Sequence, residues 1–192
     1  MQNYRQFIHQ EYGVRQLLVE HTHFNDPEKR VHIRRLLIRA AQQKTIPIVN
    51  YNDPVSDEEN RKMELAIRRS HGDQVVECVD NDETAAVIAN LVHAKKLVLM
   101  TSTEGIYRDP ADPKTLVEQV TAKSMEELEE KVRQLQESCV GASRAGANGA
   151  KAKLEYALKS ARQGTMVIIG HARHRLSDLV EGRVACTRIG LE

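Results

Sequence analysis

Apolar residues in this chain fall into two kinds of run that take turns along its length. Short apolar stretches at residues 14–20, 46–49, 75–79, 96–100, 165–169 and 184–189 read as strands, several of them near-continuous in Val, Ile and Leu as buried parallel strands are. Between them, apolar positions recur at helical spacing. Residues 25–41 open with Asn25 as capping side chain, then Asp26 and Pro27, and carry Val31, Ile33, Leu36, Leu37, Ala40 and Ala41 as a stripe. Further helices are predicted at 2–12, 82–94, 124–138, from the 141–149 loop to 162, and at 173–180. Residues 56–70 are helix-prone but mostly polar, with Ser56 and Glu59 spaced as a capping box. They read as a surface excursion.

Strands alternating with helices imply βαβ crossovers. The predicted class is α/β: a mainly parallel open sheet with helices on both faces, in one domain over residues 1–192, with 57–73 as an insertion.

Composition narrows the function. The 192 residues are 41% hydrophobic but only 4% aromatic, so the core must rest on aliphatic side chains. Lys plus Arg number 28 against 27 Asp plus Glu, for a formal charge of +1. That balance points to a small-molecule substrate, not to nucleic acid or a membrane surface. Cys78, Cys139 and Cys186 lack ligand-pair spacing, which fits a reducing compartment without zinc or disulfides. With no signal-peptide pattern and no apolar run of membrane length, the expectation is a cytoplasmic protein. The pairs His21/His23 and His171/His174 read as surface or turn histidines, with no metal site.

In an open α/β sheet, ligands bind beyond the carboxyl ends of strands. Those ends here run into Asn50, Tyr51, Asn52 and Asp53; into Asp80, Asn81 and Asp82; into Thr101 and Ser102; and into Gly170 and His171. Amides, carboxylates and hydroxyls recurring at successive strand ends suit an amine or carboxylate ligand beside a phosphate, although the same residues also cap helices and make turns. A second feature is the small-residue stretch Gly146, Ala147, Asn148 and Gly149, followed by Lys151 and Lys153. Small residues let backbone N–H groups approach phosphate oxygens at a helix start, and a lysine there supplies charge. It matches neither the P-loop nor the dinucleotide fingerprint.

Taken in order, several segments resemble the glutamate 5-kinase family of amino acid kinases. They are YGVRQLLVEHTHFNDPEKR, IPIVNYNDPVSDEE, VDNDETAAVIANLVHAKKLVLMTSTEGIY, GANGAKAKLE and DLVEGRVACTRIG. The resemblance implies ATP-dependent phosphorylation of a carboxylate with Mg2+, in proline biosynthesis. It places Asp53 and Asn81 on the amino-acid substrate, with Asn50 and Asp80 beside them. Thr101, Ser102, Tyr107, Gly146, Ala147, Asn148, Gly149 and Lys153 fall on nucleotide, and Lys153 and Asp82 on catalysis. A uridylate-kinase-like enzyme and a non-catalytic nucleotide-binding or subunit-interaction protein are the alternatives.

The chain departs from the family's pattern in several places. Ser102 stands where the family has Asp, Ala147 where it has Thr, and Asn148 where it has Gly. Nothing in residues 1–40 matches the family's Lys-x-Gly-Ser/Thr strand end. The expectations that follow are inefficient catalysis by these 192 residues and self-association into a homo-oligomer.

Overall fold

The computed structural model describes residues 2–52, 58–71, 75–77, 81–109, 111–138 and 149–192. The chain divides into two compact units, Met1–Val87 and Ile88–Glu192.

The first unit is built on two parallel strands, β1 (Gly13–Val19) and β2 (Thr45–Tyr51), in register from Gly13 opposite Thr45 to Val19 opposite Tyr51. Helix α1 (Gln2–Phe7) precedes them and is shorter than residues 2–12 predict. The crossover is helix α3 (Pro27–Gln42), introduced by one short turn of helix, α2 (His21–Asn25). Asp26, not Asn25, caps α3: its carboxylate accepts from the Glu28 and Lys29 amides at 2.9 and 3.0 Å. Pro27 then sits where a missing N–H costs nothing. Ile33, Leu37 and Ala40, spaced four and three apart, form its buried stripe. Helix α4 (Glu58–Ser70) occupies the polar stretch and buries Leu65. Helix α5 (Asn81–Val92) runs from this unit into the next.

The second unit holds a four-stranded sheet in the order β3-β5-β6-β4, from β3 (Lys96–Thr101), β4 (Gln119–Ala122), β5 (Met166–His171) and β6 (Thr187–Leu191). β3 pairs parallel with β5 and β4 with β6, while β5 and β6 are antiparallel. Helices α6 (Met125–Ser138) and α7 (Ala150–Ala161) pack along the sheet, and α8 (Leu176–Glu181) packs on β5. Ile168 meets Leu179 of α8 and Cys186. Val167 and Ile169 point the other way by strand alternation, and all three side chains of β5 are fully buried. β5 is therefore covered on both faces, which is why its sequence is continuously apolar.

The class is α/β as expected, with most described pairings parallel. Three details differ from the sequence reading. Strands β1 and β2 form a sheet of their own among the described residues. Residues 116–123, left unassigned, contain β4. The expected strand at 75–79 does not form over 75–77, and residues 78–79 lie outside the described residues. The Asn25 side chain has taken the ladder's place there: it donates to the Val76 carbonyl and accepts from the Val76 amide, each at 2.8 Å.

Candidate functional site

Parallel pairing brings the carboxyl ends of β1 and β2 side by side, and the polar residues just past them meet. The Asn52 amide donates its backbone N–H to Val19 O at 2.9 Å and its side-chain NH2 to the Glu20 carboxylate at 2.8 Å. His21, only 7% exposed, is held at both ring nitrogens. Nδ1 lies 3.2 Å from the Tyr51 hydroxyl, and Nε2 lies 3.2 Å from a Glu64 oxygen on α4. His23 turns inward too, its Nδ1 accepting from the Glu20 amide at 2.9 Å.

Asn25 completes the arrangement. Besides bonding Val76 at both backbone groups, it donates to His21 O at 3.0 Å, and its own carbonyl accepts from Arg68 at 3.3 Å. The short helix α2 thus ties the β1 and β2 ends to α4 and to the segment leading into α5. Reading His21 as a surface histidine is corrected by this burial. Its partners lie 30 and 43 residues away, so no local spacing could reveal them.

The substrate candidates distribute around this cluster. Asn50 is inside β2 and exposed, opposite Leu18 in the register, on the face turned away from Tyr51. Asn81 and Asp82 open α5, with Asn81 exposed and Asp82 half-buried. Glu83 beside them accepts from the Glu77 amide at 3.2 Å. Asp53 and Asp80 lie outside the described residues. The contacts shown at the β1/β2 end come instead from Glu20, His21, Tyr51 and Asn52.

In the second unit, Thr101 ends β3 opposite His171 at the end of β5, and the Ala172 amide donates to Thr101 O at 2.8 Å. Ser102 follows, exposed. The bend is locked from beneath. A methyl group on Gly105 would stand 2.4 Å from the Thr187 hydroxyl, so only glycine lets the loop lie so close. Tyr107, half-buried, forms an antiparallel bridge with Leu116.

Gly149 caps α7, its carbonyl accepting from the Ala152 and Lys153 amides at 3.1 and 3.2 Å. Gly146, Ala147 and Asn148 are outside the described residues. The end of the sheet at which α7 begins follows from lengths. Its 12 residues span about 18 Å, and the 6 residues of β5 roughly 20 Å. A short turn joins them, with the Thr165 amide bonded back to Ser160 O at 3.2 Å. The helix therefore runs back along β5, and its start, with Gly149 and Lys153, lies at the end where Thr101, Ser102 and His171 are. The hydroxyls at the end of β3 and the start of α7 thus lie toward the same end of this unit's sheet.

Among the described residues no three His, Cys, Asp or Glu side chains gather as a metal site. Ser102 also brings no carboxylate to the rim. Magnesium commonly keeps most of its shell as water and phosphate oxygens, so the rim suits a magnesium–nucleotide as a substrate better than it suits a resident ion. Nor is any helix among the described residues long and apolar enough to cross a membrane.

Comparison with known proteins bears on this geometry. The family model "Amino acid kinase family" matches residues 4–171. Glutamate 5-kinase of Geobacillus kaustophilus is 30% identical over 179 residues, covering 92% of this chain and 42% of that protein. Glutamate 5-kinase of Geobacillus thermodenitrificans is 30% identical over 189 residues, covering 97% and 45%. The chain spans less than half the length of these curated relatives. Among solved structures, a carbamate kinase from Giardia lamblia bound to AMP-PNP matches with TM-score 0.46 and 18% identity, covering 59% of this chain and 32% of that one.

Proposed function

The chain belongs to the amino acid kinase family, and from that premise we propose that it serves ATP-dependent phosphorylation of the carboxylate of a small amino acid, glutamate first among them. What supports this reading is that Thr101 and Ser102 follow the end of β3, which runs parallel beside β5, and that α7, opened by Gly149 and Lys153, runs back along β5. The similarity to glutamate 5-kinases supports glutamate as the acceptor.

In this reaction a γ-carboxylate oxygen of glutamate bonds to the γ-phosphorus of ATP, and the bond from that phosphorus to the β,γ-bridging oxygen breaks. An acyl phosphate and ADP result. Such transfers need alignment and charge neutralisation, with no covalent enzyme intermediate. The N–H groups at the start of α7 and the Lys153 ammonium face negative charge on the phosphates. Magnesium, entering with the nucleotide, neutralises the tail. By the family resemblance the acceptor falls to Asn50, Asp53, Asp80 and Asn81, with Asp82 beside them. A cytoplasmic, self-associating protein fits this chemistry.

A second reading rests on Ser102, which lacks the acid that the family pattern has at the strand end. In that reading the chain binds nucleotide and does not turn it over. Release of ADP from magnesium–ATP, measured with glutamate, aspartate or UMP, separates the two. Glutamate-dependent release that falls by roughly 100-fold or more in Lys153→Ala supports catalysis. Nucleotide binding with no acceptor-dependent release supports the second reading, and failure to bind magnesium–ATP at millimolar concentration removes both.

A further inference from the structure

The turn that leaves β5 has a charge pattern that the assignments above do not use. Residues 171–175 read His-Ala-Arg-His-Arg, with no acid among them. The turn is folded by three bonds: Ala172 N–H to Thr101 O at 2.8 Å, Arg173 N–H to His171 Nδ1 at 3.0 Å, and His174 N–H to His171 O at 3.1 Å. It is therefore anchored to the strand end that carries Thr101 and Ser102. A single carboxylate, that of Glu104, meets two of its basic side chains. One oxygen takes the Arg173 guanidinium and the other lies 2.7 Å from His174 Nε2. Glu104 and His174 are largely buried, whereas the Arg173 side chain is 63% exposed.

With the Arg173 side chain so exposed, its pairing adds little to stability, about 0–1 kcal/mol, so holding the fold is a weak reason for Arg173 itself. Its chemistry matches an anion subsite better. Guanidinium and imidazole converge on two oxygens of one anionic group, the geometry by which such side chains also take phosphate. Thr101, Ser102, Thr103 and Gly105 around Glu104 carry no charge, so its carboxylate is the only acid of that bend.

We propose that the 171–175 turn, through Arg173 and His174, is a contact for the polyphosphate tail of the nucleotide, with Glu104 as an internal counter-ion that the incoming phosphate displaces. The proposal rests on the reading that this rim holds nucleotide. It adds a second source of positive charge, besides Lys153, at the sheet end where β3 and β5 finish. Binding then costs the breaking of the Glu104 contacts, so affinity is set by competition between two anions for one pair of cations.

Calorimetric titration of the 192-residue chain with inorganic tripolyphosphate, magnesium–ATP and adenosine tests it. In Arg173→Ala, tripolyphosphate and ATP should both bind roughly tenfold more weakly, the loss of one charge-assisted contact, with adenosine unchanged. Glu104→Gln should tighten both phosphate ligands several-fold. Arg183→Ala, which removes an exposed arginine paired instead with Asp178 and Glu181, should leave them unchanged. Unaltered phosphate affinity in Arg173→Ala, an equal loss in Arg183→Ala, or no tightening in Glu104→Gln overturns the proposal. Because Arg173 is exposed, its removal leaves the core intact, and a thermal melt verifies this. ATP bound equally by the parent and Arg173→Ala sinks the subsite and spares the nucleotide reading. Tripolyphosphate bound through Arg173 with no gain from the nucleoside does the reverse. Binding of neither ligand overturns both.

Discussion

Thr187 is fully buried, and its hydroxyl joins two segments that the chain separates by some seventy residues or more. It accepts from the Ile106 amide at 2.8 Å and donates to the Val117 carbonyl at 2.7 Å. Thr187→Val keeps the shape but strands a buried N–H, so a loss of about 1–3 kcal/mol in unfolding free energy is expected by denaturant titration. No change would mean that the hydroxyl is dispensable. Ser160 is the opposite case. It is equally buried, yet its Oγ has no hydrogen-bond partner among the described residues. Ser160→Ala should therefore be neutral or stabilising by up to about 1 kcal/mol in the same titration, and a clear loss would reveal a partner. Neither threonine nor serine announces its situation in the sequence, because a hydroxyl suits water and core alike. His21 teaches the same lesson: its identity was plain, its burial was not.

At the scale of elements, local chemistry was legible wherever it acts within a turn or two. The start of the 25–41 helix was readable, though the cap shifted by one residue, from Asn25 to Asp26. The helix predicted at 124–138 forms as α6, with the Glu127 amide donating to Ser124 Oγ at 3.2 Å at its start. The Asp26 cap has a pH consequence. The Lys29 amide most of all, with the Glu28 amide and the charges of Lys29 and Arg68, holds its carboxyl below the usual carboxylate range, against the opposing effect of desolvation. A folded-state pKa below the unfolded one gives stability that is present above the unfolded pKa and lost as pH falls through the folded one. Asp26→Asn, which keeps the acceptor but cannot titrate, should thus flatten the melting temperature of this unit between about pH 5 and pH 2 relative to the parent. Asp26→Ala should lower it at pH 7. Identical acid profiles for the parent and Asp26→Asn would remove the cap from the account. Elements that depend on distant partners were less legible. Residues 75–77 have strand composition but find Asn25 instead of a neighbouring strand. β4 is only four residues long and exists because β6, its residues 69 positions further along in the register, lies alongside it.

For the molecule as a whole, burial is unequal between the two units. Val167, Ile168, Ile169 and Ile189 are fully buried in the second, whereas in the β1/β2 pair of the first Val19 alone is, and Leu18 is 43% exposed. Amides opening only on global unfolding should therefore belong to β5 and β6, with β1 and β2 exchanging sooner. Hydrogen exchange read by mass spectrometry checks this, and equal protection in β1 and β5 would contradict it. The α/β class, the strands β1, β2, β3 and β5 and the placing of most helices were set by the sequence itself, because propensity, capping and periodicity act between residues a few positions apart. Tertiary structure alone decided that β6 runs antiparallel to β5, that the 75–77 segment pairs with a side chain, and that His21 is buried. It also decided that Arg173 and His174 meet Glu104. Each of these depends on contacts across tens of residues, where the free energy comes from what the folded chain happens to bring alongside and no local pattern records the choice.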